Sequence, residues 1–244
     1  MKNMIKKFLL RFFAAVMRND KALVIYYHDI GTDYTKMGTP SDLFWAHIAA
    51  AKNAGWTFSP VFRPGSQKQL TLCFDDGFRG IWTEREKFVK EGIRPIVFIA
   101  VDLVGSPGYL NWDEILALQN IGFVFQSHTW SHRPLTEVPN AELVHELADA
   151  KRSLSERLGH EVTMLCFPCG LFNERVLKAC VDAGYTTLWG SFPGGMPLPF
   201  CGTNVFPRNL VQAFTVGDFM SALGGGFSPL VKRYVAQHFH LKEN

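Results

Sequence analysis

The sequence predicts an α/β protein, a parallel sheet or barrel with helices outside, folded as a single domain. Three observations predict it. Short β-branched and aromatic runs alternate with helix-length amphipathic segments. Four of those segments end in a glycine followed at once by an apolar residue: Ala54-Gly55-Trp56, Glu91-Gly92-Ile93, Ile121-Gly122-Phe123 and Ala183-Gly184-Tyr185. A left-handed residue at that place closes a helix and releases the chain into a strand. Finally, 244 residues, 47% of them hydrophobic and 19% charged, suffice for one sizeable core, and no Pro/Ser-rich linker divides them.

In chain order, residues 1–20 read as a basic amphipathic helix. Ile5, Phe8, Leu9, Phe12, Phe13 and Val16 recur at helical spacing among Lys2, Lys6, Lys7, Arg11 and Arg18. The segment is too short to span a bilayer, and Arg11 interrupts the apolar run that a secretory signal needs. Two uses stay open: packing the apolar face on the domain, or peripheral association with an anionic membrane surface. Strands are expected at 23–27, 70–74, 96–100, 123–127 and 164–167, then at 186–189 and 204–206. His28, Asp75 and Asp76, His128, and Pro168 to Gly170 each follow directly on one of these runs. A parallel sheet collects all of them at its carboxyl edge, where such folds place their chemistry. Residues 190–202, rich in Gly and Pro, read as a long loop.

A net charge of +3, evenly spread, argues against nucleic acid as a partner. The five cysteines are an odd set in a chain too large to need disulfide staples, which fits a reducing compartment. Cys166 and Cys169 make a C-x-x-C pair, a redox dithiol or half of a zinc site in other settings, but no second pair supplies the remaining ligands. With the basic amphipathic start, these features lead us to expect a cytoplasmic protein, in contact with the inner face of the membrane if the helix is used there.

The chemistry is concentrated in two places. Leu72-Cys73-Phe74-Asp75-Asp76-Gly77 runs an apolar strand into two adjacent carboxylates, costly at a buried strand end unless a cation or proton lies between them. Taken alone, a solvated Asp-Asp-Gly turn would explain the same residues. His128-Thr129-Trp130-Ser131-His132 places two imidazoles four residues apart after another strand. Two histidines and a carboxylate from a different strand end make a facial set that leaves positions open for water and substrate.

Phe74-Asp75-Asp76-Gly77 followed by His128-Thr129-Trp130-Ser131-His132 resembles the first two motifs of the polysaccharide deacetylase family, carbohydrate esterases of family 4. The resemblance spans roughly residues 22 to 210 and implies a distorted barrel of about seven βα units, a (β/α)7-type fold, with the catalytic domain over 21–244. It also implies Asp76, His128 and His132 as ligands of one divalent metal ion and Asp75 as general base. Zinc is the first expectation; the donor set also accepts cobalt, nickel or ferrous iron. Phe167-Pro168-Cys169-Gly170 is similar to the third motif, which assigns the Cys169 amide to the oxyanion, but Cys166 stands where many members carry an arginine. Arg208 resembles an arginine found late in some relatives and is expected to replace it. Val24-Ile25-Tyr26-Tyr27-His28 resembles the opening strand of circularly permuted exopolysaccharide deacetylases, which makes His28 the general acid, whereas His238 and His240 lack the expected strand context. Trp112, Trp130, Trp189 and Tyr27 offer flat faces, and Trp189 is taken as a wall for a sugar ring.

The expected activity is metal-dependent removal of N-acetyl groups from an N-acetylated carbohydrate. Two rivals remain: a carbohydrate-binding protein that keeps the metal without turnover, and an amidohydrolase acting on another carbon–nitrogen bond.

Overall fold

The computed structural model describes residues 2–33 and 35–239, with side chains from Phe8 onward. Six parallel strands lie side by side: β1 (Leu23–Tyr27), β2 (Gln69–Phe74), β3 (Ile96–Ile99), β4 (Val124–Ser127), β5 (Met164–Cys166) and β6 (Thr187–Trp189). β7 (Thr203–Phe206) pairs in parallel with β6, and β8 (Asn209–Leu210) pairs in parallel with β1. Only Pro207 and Arg208 separate β7 from β8, so one extended run lies against both open edges. The sheet is thereby curled into the distorted barrel of a single α/β domain.

Side chains alternate along the strands, as a pleated sheet requires. One set, including Ile25, Tyr27, Leu72, Phe74, Val97, Phe125 and Leu188, joins the large core under the helices. The other set, Val24, Tyr26, Cys73, Ile96, Phe98, Cys166 and Trp189, forms a smaller cluster inside the curl. The outer α-helices of five or more residues, among the described residues, are α1 (Lys2–Met17), α2 (Ser41–Asn53), α3 (Arg85–Glu91), α4 (Trp112–Asn120), α5 (Asn140–Val144), α6 (Ala150–Leu158), α7 (Glu174–Asp182), α8 (Val216–Leu223) and α9 (Val231–His238). The π turn His145–Asp149 joins α5 to α6. Asn111, Asn173 and Thr215 cap α4, α7 and α8 through side-chain oxygens that accept backbone N–H groups. Gly55, Gly92, Gly122 and Gly184 all adopt positive φ where helix gives way to strand.

The seven expected strands form, with bounds shifted by a residue or so. Five short strands were not expected. Asp29–Ile30 pairs with Gly38–Thr39, Thr57–Phe58 adds to β2, Leu198–Phe200 pairs antiparallel with β7 inside the segment read as a loop, and β8 lies on β1. Each takes its extended form from the strand beside it, and two or three residues carry no periodicity to read.

Candidate active site

β2 delivers Asp75 and Asp76 to the carboxyl edge, and the chain then turns through two left-handed residues, Asp76 (φ 69°) and Gly77 (φ 81°). A Cβ on Gly77 would come within 2.8 Å of the Ile99 side chain, so this turn needs glycine for space as well as for φ. The two neighbouring carboxylates meet different partners.

Asp76 Oδ1 lies 3.3 Å from His128 Nε2 and 3.0 Å from His132 Nε2. His128 Nδ1–H donates to the Cys166 carbonyl at 2.8 Å, which leaves Nε2 without a proton in the neutral ring. Asp76 Oδ1 is itself buried without a hydrogen bond of good geometry. Lone pairs of a carboxylate and of an imidazole thus converge on one point, an arrangement that calls for positive charge there. Burial pushes the Asp76 carboxyl up, but the two facing imidazoles outweigh it and hold the group well below the usual carboxylate range. His132 is correspondingly raised: burial opposes its charge, and Asp76 overcomes that. This orphaned oxygen and its two nitrogen neighbours fit a divalent cation.

Within the His128–His132 loop, Thr129 (φ 74°) and His132 (φ 63°) both adopt left-handed backbone, a costly state for non-glycine residues. Ser127 Oγ accepts the Thr129 N–H, and Thr129 Oγ1 accepts the His132 N–H. Glu146, buried on the π turn, accepts the N–H groups of Trp130 (3.2 Å) and Ser131 (3.0 Å) with one oxygen and the Ser131 hydroxyl with the other. Nothing in the sequence marks Glu146, since it reads as one more helix position.

Asp75 faces inward. Arg208, fully buried, clamps it with Nη1–Oδ1 2.6 Å and Nη2–Oδ2 2.8 Å, donates Nε–H to the Gly190 carbonyl at 3.1 Å, and sits 4.2 Å over the Tyr26 ring. Burial pushes Asp75 up, but the guanidinium outweighs it and holds the carboxyl below its ordinary value. Asp75, His128 and Cys166 also approach one another at ligand spacing. The Arg208 guanidinium already bonds both Asp75 and the Cys166 sulfur, and burial keeps the Cys166 thiol protonated, so that second cluster is unsuited to a cation.

His28 stands half-buried at the end of β1, with Nδ1–H donating to Gln212 Oε1 at 2.7 Å. Gln212, just beyond β8, is a second residue that the sequence did not mark. Cys169 is exposed on the turn after β5 with φ 56°, and neither it nor buried Cys166 forms a disulfide. Trp189 corrects an expectation. It is 2% exposed and packs against Phe62 and Phe206 inside the curl, so it walls no groove; its place on β6 turns it to the inner face of the sheet. Tyr27 is also core, whereas Trp130, on the histidine loop, is half-buried with its ring 4.3 Å from that of His145. His238 lines a cavity of about 220 Å³ together with Tyr26, Arg208 and Gln212. His240 lies outside the described residues.

The sequence profile of the polysaccharide deacetylases matches residues 62–188, more than half of the chain. The chain belongs to the polysaccharide deacetylase family. The matched stretch holds Asp75, Asp76, His128, His132 and Cys169, with His28 and Arg208 outside it. YxkH of Bacillus subtilis (strain 168), named after the same family, is 24% identical over 175 residues, covering 68% of this chain and 62% of its own length. Among solved structures, the Streptococcus pyogenes deacetylase PplD, in complex with acetate, superposes with a TM-score of 0.71 at 18% identity, over 83% of this chain and 98% of its own. IcaB from Ammonifex degensii gives 0.72 at 18% identity, over 85% and 98%. Both likenesses bear on the fold.

Proposed function

We propose that this chain is a metal-dependent N-deacetylase acting on an N-acetylated polysaccharide, oligosaccharide or glycolipid precursor. The observation that carries the reading is the division of the Asp75-Asp76 pair, one carboxylate facing two imidazoles and the other clamped by Arg208.

Asp76, His128 and His132 would hold one divalent ion, zinc in the first instance. Such an ion supplies Lewis acidity, polarising a carbonyl and making a water easier to deprotonate. Asp75 is the base that takes the proton of the attacking water; Arg208 keeps it ionised and fixed in orientation. The Cys169 amide donates to the carbonyl oxygen as charge develops, a contribution of about 3 kcal/mol for one such donor. His28 is the acid. Its Nδ1–H is committed to Gln212, so Nε2 is the atom that passes a proton to the departing sugar nitrogen. An acid that arrives on the first strand is the order of the circularly permuted exopolysaccharide deacetylases. Water adds across the amide, and acetate and a free amine leave.

The test is acetate release from free, oligomeric and lipid-linked N-acetylhexosamines by metal-loaded protein, beside His28→Ala. Acetate release that falls by about 10²–10⁴-fold in the variant supports the activity and the acid. Undiminished release in His28→Ala removes that acid alone. No acetate from any substrate, with one metal bound per chain, favours the non-catalytic carbohydrate-binding protein.

A further inference from the structure

An ordinary surface helix turns its apolar face to the core and its charges to water. α1 also leaves a stripe of apolar side chains in water. Leu10 is buried against the fold, yet Phe8, Phe12 and Val16, one turn apart along the helix, are 67%, 53% and 60% exposed, with Leu9 and Met17 also exposed nearby. The Phe8 and Phe12 rings stack on one another at 6.4 Å, not on the domain.

The orientation is fixed by named contacts. Arg11 forms an ion pair with buried Asp218 of α8 at 3.0 Å, and Asn19 bonds the Gly224 and Leu223 carbonyls through its N–H and its side-chain amide. Rolling the phenylalanine stripe inward would break the Arg11–Asp218 ion pair, which ties α1 to α8. The outward stripe is therefore a property of the docked helix.

Charge selects the occupant. Lys2, Lys6 and Lys7 lie in the first turns of α1, Arg11 and Arg18 follow, and none of residues 1–19 is acidic. A second copy of the chain pairing through this face would bring like charges together. An anionic lipid surface offers an apolar layer for Phe8, Phe12 and Val16 with negative headgroups beside it. No helix among the described residues is long and apolar enough to cross a bilayer, so the contact would lie in the membrane plane. We infer that this protein binds an anionic membrane surface through the exposed Phe8–Phe12–Val16 face of α1. Its substrate would then be met at a lipid surface.

Co-sedimentation of the full chain with vesicles tests this, using phosphatidylcholine alone and phosphatidylcholine with about one third phosphatidylglycerol. Binding should be at least about tenfold tighter to the anionic vesicles and should fall by at least about tenfold in Phe8→Ser/Phe12→Ser. Because both rings are exposed, that variant should melt with the wild type. Lys6→Glu/Lys7→Glu should lose the anionic preference, at about fivefold or more per charge. Wild-type protein that ignores anionic vesicles overturns the inference, whether it is monomeric or self-associates. So does binding that survives Phe8→Ser/Phe12→Ser. Vesicle binding needs neither metal nor turnover, so its failure is separable from failure of the deacetylase reading.

Discussion

Three buried aspartates lie at or beside the candidate site, and their surroundings send them in different directions. Asp76 faces the His128 and His132 imidazoles at the rim; Asp75, one residue earlier, is enclosed with the Arg208 guanidinium inside the curl. Asp29 has neither. Its Oδ1 accepts the N–H groups of Ile30 and Gly80, its Oδ2 is buried without a partner, and burial pushes its carboxyl up to about 7. Burial acts in the same sense on all three, so the type of partner decides which acids stay ionised. A carboxylate against a guanidinium is held ionised, which is the state the proposed base needs before it takes a proton. One against two imidazoles is poised to receive a cation.

Removing the positive partner gives the largest change. Arg208→Met leaves Asp75 buried and unpaired, and should cost about 3–5 kcal/mol in stability by denaturant unfolding. Arg208→Lys keeps the charge but forfeits the two-point clamp, and should recover part of that loss. Equal stability of Arg208→Met and wild type would show that the pair is not what keeps Asp75 ionised.

The next effect is on the rim. Glu146→Gln keeps the size of the group that holds the Trp130 and Ser131 amides but removes its charge. Metal affinity, measured by competition with a chelator, should weaken by about 10–100-fold, the usual cost of losing support behind a ligand. An unchanged affinity would mean that the left-handed positions Thr129 and His132 hold the loop without Glu146.

Asp29, which touches neither the imidazoles nor the guanidinium, serves as the control. Its folded-state value, about 7, lies above the ordinary 3.8, so the folded chain binds this proton more tightly than the unfolded chain. The stability that the proton lends is complete below the ordinary value and is lost as pH rises through about 7. Melting temperature should therefore fall across that window in wild type, and the fall should be shallower in Asp29→Asn. Parallel pH profiles would show that Asp29 titrates normally.

How much of this was legible in the sequence follows from the same comparison. The Asp76 side is built from two compact motifs, and each advertises itself at the end of an apolar run: Asp75-Asp76-Gly77 and His128 to His132. The strands that carry them were legible as short apolar runs, and the helix before the second is closed by Gly122 in a left-handed turn. The Asp75 side is assembled across the chain. Its clamp arrives 133 positions later, on a run that becomes a strand only by lying against both edges of the sheet. Resemblance pointed to Arg208; no local pattern did. Glu146 and Gln212 carried no signal, because each acts through a backbone amide or an imidazole that only the fold brings near. Trp189 failed for a related reason: a strand of three residues does not tell which face its aromatic takes.

The most direct measurement is metal content and acetate release on the same preparations of wild type, Asp75→Asn and Asp76→Asn, each checked for folding. If the two neighbours divide the work as their partners indicate, Asp75→Asn retains one metal ion per chain while acetate release falls by about 10²–10⁴-fold, and Asp76→Asn loses both. An Asp75→Asn protein that is folded yet metal-free, or metal-loaded and still fully active, would contradict that division.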